Sequence, residues 1–77
     1  MNDADTELDV KGLNCPMPLL KAKKALNDMK AGTILRVLAT DPGSERDFAV
    51  FARQSGNTLL DSTNSGGVYC YYLRKKN

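Results

Sequence analysis

The sequence predicts an α+β domain: a two-layer sandwich of order β-α-β-α-β-β, with two helices covering one face of a four-stranded mixed sheet. Three observations predict it. Apolar residues recur at three- and four-residue steps in two stretches, the mark of helices with one apolar face. Four shorter segments rich in β-branched, aliphatic or aromatic residues lie before, between and after those stretches. Glycine, proline, asparagine or serine punctuates the boundaries.

Residues 6–11, "TELDVK", alternate enough for a first strand, and Gly12 supplies the turn that follows. From Pro16 the period changes: Leu19, Ala22, Leu26 and Met29 share one helical face while Lys21, Lys24 and Asp28 lie on others. Pro16 suits the first helical turn, where its missing N–H had no partner to lose. A helix near residues 16–30 follows, with Gly32 as its stop. "TILRVLA", residues 33–39, reads as a central strand. Asp41-Pro42-Gly43 then turns the chain, and Ser44 with Asp47 three residues on resembles a capping box opening a second helix near 44–55. That helix places Phe48, Phe51 and Ala52 on one face and ends near Gly56. "NTLLDST" and "GVYCYYLRK" flank "NSGG", a hairpin signal. Leu26, Leu35, Phe48 and Phe51 are the expected core. Right-handed crossovers make the first two strands parallel, and the hairpin adds an antiparallel strand. The loop carrying Cys15 and the loop from Asp41 to Arg46 then leave the same edge of the sheet, where open α/β sheets place their sites.

The 77 residues read as a single domain, 1–77, without repeat, linker or low-complexity run. Residues 1–6 are expected to form a flexible acidic N-terminus. No segment approaches the roughly 20 apolar residues of a membrane span, and no basic apolar leader is present, so a cytoplasmic protein without membrane contact is expected. The net charge of +2 names no partner, although Asp3, Asp5, Glu7 and Asp9 crowd the start and Arg74, Lys75 and Lys76 the end. These read as solubilising tails. Direct nucleic-acid binding is not expected, because no aromatic–basic stacking motif accompanies the charge. A monomer is expected.

The chain has two cysteines, Cys15 and Cys70, and no histidine. No metal is expected from so sparse a ligand set, and no structural disulfide in a reducing cytosol. Cys15 opens the first helix, where free N–H groups and the helix dipole favour an anion, so its thiol is expected moderately below the free value of about 8.5. Pro16 and Pro18 remove two of those donors and stiffen the backbone that aims the sulfur. Pro18 also stands where a C-x-x-C motif would hold its resolving thiol. Such a thiol suits the carriage of a sulfur atom as a persulfide and its delivery to another protein's cysteine. The bland alternative is a small apolar side chain packing the helix start. Cys70, alternating with Tyr69 and Tyr71 beside Val68, Tyr72 and Arg74, reads as a thiol without chemistry on the sheet face away from the helices.

"LDVKGLNCPMPLLKAKKAL", "GTILRVLATDPGSERDFAVFARQSGNTLL" and "YYLRKK" together resemble the TusA/SirA family of small sulfur-carrier proteins, from about Leu8 to Lys76. The C-P-x-P signature after an "LD-x-x-G" strand carries the resemblance, with "DP" and "RDF" supporting it. It implies a sandwich like the C-terminal domain of translation initiation factor three. It also implies that Cys15 accepts sulfur from a cysteine desulfurase or another sulfurtransferase and hands it to a downstream relay or acceptor. Those acceptors serve tRNA thiolation, molybdenum-cofactor enzymes or sulfur oxidation. No cofactor is required, and Gly12, Pro16 and Pro18 support the motif. Relatives often carry a second cysteine in the second helix, where this chain has Ala52.

Docking of a partner falls to Lys21, Asp41 and Arg46. Lys21, with Lys23 and Lys24, makes either a solvated face or a basic rim near the motif, and Asp41 and Arg46 lie on the shared loop edge. Two other classes stay open beside the carrier: a nucleic-acid-binding module on the open sheet face, and a regulatory adaptor that transfers no sulfur. Cys15→Ser separates them, since only the carrier depends on the thiol.

Overall fold

The computed structural model describes residues 4–77. β1 (Thr6–Val10), α1 (Met17–Asn27), β2 (Ile34–Ala39), α2 (Ser44–Ser55), β3 (Thr58–Ser65) and β4 (Val68–Arg74) follow in the expected order. The sheet runs β1-β2-β4-β3. β1 and β2 are parallel in the register Leu8↔Val37, β4 is antiparallel to β2 with Cys70 opposite Leu38, and β3 closes the hairpin with Thr63 opposite Cys70. A bulge between Leu59 and Asp61 breaks the hairpin's register once.

Side-chain alternation sends one set of strand residues inward. Val10, Leu35, Val37, Ala39, Tyr71 and Leu73 meet Ala22 and Leu26 of α1 and Phe48 and Ala52 of α2 in one core. Burying a large apolar side chain of this kind contributes about 1.5–3 kcal/mol, so a few such residues decide the stability of so short a chain. Phe48 stacks on Tyr71 with ring centroids 4.5 Å apart, and joins α2 to β4. Leu26, Leu35 and Phe48 are core residues as expected. Phe51 is half-buried at the rim, where the Lys23 ammonium stands 5.5 Å from its ring centre. On the opposite sheet face Arg36 pairs with Glu7, and Cys70 is half-buried between its register partners.

Several local expectations are corrected. α1 ends at Asn27, not near Lys30, because Asp28 and Met29 donate to the carbonyls of Ala25 and Leu26 in a tightened last turn. Lys75 Nζ also reaches Leu26 O at 2.6 Å. Gly32 (φ +84) instead sits in the turn entering β2, its N–H donated to Lys75 O. Ser44 does not cap α2: the cap position is Gly43, and the buried Ser44 hydroxyl bonds Tyr71 Oη at 2.7 Å. The C-terminal charges are not a loose tail, since Arg74 ends β4 and Lys75 holds α1. Of the acidic N-terminus, residues 1–3 lie outside the described residues; Asp5 donates its N–H to Ile34 O and accepts from Ile34 N–H, and Thr6 opens β1.

Candidate functional site

Parallel pairing of β1 and β2 brings their C-terminal loops together. After Val10 the chain turns at Gly12, whose φ of +83 favours glycine. The Gly12 N–H donates to Thr40 Oγ1 at 2.9 Å, tying this loop to the residue that follows β2. Cys15 and Pro16 are joined by a cis peptide bond, and Pro16 takes the cap position of α1. Pro18 occupies the second helical position, fully buried, where the missing N–H leaves no carbonyl unsatisfied. Cys15, between Gly12 and the start of α1, is exposed.

The second loop is a hydrogen-bonded turn in which Ser44 N–H donates to Asp41 O at 3.0 Å. It delivers Asp47 in the first turn of α2 with its backbone N–H on Gly43 O. The Cys15 thiol donates to Asp47 Oδ2 at 3.3 Å. Asp41 is partly buried, and its Oδ2 has no hydrogen-bond partner among the described residues. The sulfur and one carboxylate oxygen from each aspartate lie within 4.8 Å of one another. As metal donors they fall one short of the four a tetrahedral structural site supplies. We assign no metal role to them.

This geometry reverses the expected acidity of the thiol. The helix start offers the sulfur little: Met17 N–H donates to Asn14 O and Pro18 has no N–H. The Asp47 hydrogen bond, which favours the protonated form, pushes the Cys15 thiol above its ordinary value. Desolvation and the negative charges of Asp47 and Asp41 add to the shift. Two carboxylates outweigh the partial charge of a helix end.

Sequence reasoning placed the two loops at one edge, and they do meet. It missed Asp47, which it assigned to a cap. The sequence offers two acids in the first turn of α2, Glu45 and Asp47, and only the structure shows that Asp47 is the one that reaches Cys15. Arg46 joins Leu19, Lys23, Asp47 and Phe51 along an α1–α2 groove of about 160 Å³. Lys21 lies elsewhere, with Lys24, Leu8 and Asp28 on the β1 side of α1. A groove of about 680 Å³ between α2 and β3 has Arg46 and Arg53 on its walls but not Cys15. No helix among the described residues is long and apolar enough to cross a membrane.

Comparison with known proteins gives a consistent result. Residues 6–75 match the family model described as sulfurtransferase TusA. The chain is 53% identical over 75 residues to the sulfur carrier protein TusA of Allochromatium vinosum, covering 97% of this chain and 99% of that one. It is 42% identical over 72 residues to the sulfur carrier protein TusA of Pseudomonas entomophila, covering 94% and 90%. Among solved structures it is similar to the SirA-like protein of Desulfitobacterium hafniense, with a TM-score of 0.81, 26% identity and coverage of 94% and 99%.

Proposed function

This chain belongs to the sulfurtransferase TusA family, and from that premise we propose that it carries sulfur as a persulfide on Cys15. A cysteine desulfurase or another sulfurtransferase supplies the atom. A relay or acceptor protein serving tRNA thiolation, molybdenum-cofactor enzymes or sulfur oxidation removes it. The carrier works as a cytoplasmic monomer without cofactor, because carbon–sulfur bond cleavage belongs to the donor.

The observation that carries this reading is the setting of the thiol. Cys15 is exposed at the tip of a loop that Gly12, Pro16 and Pro18 hold in place. Cys70, the other thiol, sits half-buried in β4 opposite Leu38, on the sheet face away from the core that α1 and α2 cover. A sulfur taken up on Cys15 therefore has no internal thiol poised to release it, and transfer goes to an incoming cysteine. Docking is assigned to the loop edge, where Arg46 offers a cation and Asp41 a carboxylate beside the sulfur. Lys21 extends the basic surface of α1 on its other side.

Intact-mass measurement after incubation with a cysteine desulfurase and free cysteine tests this. Wild type and Cys70→Ser should each gain the mass of one sulfur atom, lost again on reduction, and Cys15→Ser should gain nothing. Uptake by Cys15→Ser, or its loss in Cys70→Ser, overturns the assignment.

A further inference from the structure

We propose that Asp47 is the proton shuttle of the transfer, taking the Cys15 proton as sulfur is loaded and returning one as sulfur leaves. The proposal rests on the reading of Cys15 as the carrier thiol, and adds a residue that acts on the reacting atom itself.

The geometry supplies the reason. Only a thiolate attacks sulfur, yet Cys15 is bonded as a thiol to Asp47 Oδ2 at 3.3 Å. While the loop is open, water can remove the proton. Once a partner covers the loop, the acceptor already in contact with the thiol is Asp47, in a chain that has no histidine. The carboxylate is also well supported. Its backbone N–H is bonded to Gly43 O, and Ser44, one turn earlier, is locked to Tyr71 in the core. A base on so fixed an element loses little freedom in the transition state. The other charged group acting on the sulfur is Asp41, which makes no hydrogen bond to it.

In loading, the Cys15 proton passes to Asp47 as the sulfur's electron pair forms a bond to the outer sulfur of the donor persulfide. The donor's own S–S bond breaks, its electron pair leaves on the donor cysteine, and that thiolate takes the proton from Asp47. One S–S bond forms and one breaks, so no oxidant or reductant is consumed. Discharge runs the same steps in reverse order of partners. The acceptor thiol gives its proton to Asp47 and attacks the outer sulfur, and Cys15 leaves and is reprotonated. A thiol that is hard to ionise is a poor leaving group, and a carboxylic acid in contact with it corrects that defect.

Two rates separate this role from a purely electrostatic one. In Asp47→Asn the carboxylate that holds the thiol protonated is gone, so alkylation of Cys15 by iodoacetamide should be faster at neutral pH, with its pH midpoint moved down. Single-turnover loading from a persulfidated cysteine desulfurase should instead fall by about 100-fold, the scale of general acid–base assistance. Asp47→Glu, which keeps a carboxylate, should recover part of the loss. If the asparagine variant melts early, Asp47→Ala, the residue with the highest helix propensity, serves the same comparison. Loading that matches wild type, or that accelerates together with alkylation, overturns the proposal. Failure of the parent reading looks different: it is sulfur uptake by Cys15→Ser, whatever Asp47 does.

Discussion

Tyr71→Phe removes one oxygen atom from the centre of the molecule, and its cost can be worked from the structure. Tyr71 is 0% and Ser44 1% exposed, and their hydroxyls are 2.7 Å apart. Losing the phenol oxygen breaks this bond and strands the Ser44 hydroxyl where water cannot reach it. A buried hydroxyl left without a partner costs about 1–3 kcal/mol. A chain of this length has a total stability of roughly 4–12 kcal/mol, so the loss is a sizeable fraction. At roughly 4–8 °C per kcal/mol for a domain of this size, the melting temperature should fall by at least about 4 °C. Ser44→Ala should cost a similar amount by stranding the phenol. The double variant leaves neither group stranded, and should be less destabilised than the sum of the singles by about 1–2 kcal/mol. Urea unfolding of the four proteins, followed by circular dichroism, measures the cycle. Additivity within about 0.5 kcal/mol would refute the reasoning, because it would mean that the two hydroxyls do not depend on each other.

Two other predictions follow from the loops and caps. Alkylation of wild-type Cys15 should show a pH midpoint above the ordinary thiol value of about 8.5, because Asp47 and Asp41 disfavour the thiolate. Raising salt from 0.1 to 1 M shortens the screening length from about 10 to about 3 Å and should lower that midpoint, whereas a midpoint below the ordinary value would contradict the assigned electrostatics. Gly56, the left-handed residue that ends α2 (φ +83), should cost about 1–2 kcal/mol on substitution by alanine, read as a lower urea midpoint at unchanged slope. An unchanged midpoint would show that the helix end relaxes into another conformation.

Element order, strand direction and the meeting of the two loops were legible because hydrophobic period and turn residues encode them locally. Leu26, Leu35 and Phe48 fall in the core for the same reason. What misled were residues whose partners lie far away in sequence. Ser44 followed by Asp47 spells a helix cap in any local reading, but Ser44 turns to Tyr71, 27 positions on, and Asp47 to Cys15, 32 positions back. The acidity of Cys15 was misjudged through the same gap: the helix start is written beside it, whereas the opposing carboxylates come from another loop. Gly32 marked the end of a connection and was taken for the end of a helix, since α1 is stopped by its own tightened turn and by Lys75.

The strand order β1-β2-β4-β3 makes the sheet depend on a strand that comes late in the sequence. The last of these four strands in sequence, β4, lies in the interior of the sheet, paired with β2 on one side and β3 on the other. It also contributes Tyr71 and Leu73 to the core and anchors α2 through Ser44. A growing chain that still lacks β4 has no strand to link β2 to β3 and no Tyr71 to hold α2. The loop edge that brings Asp47 to Cys15 therefore depends on β4, which joins α2 to the sheet through Tyr71.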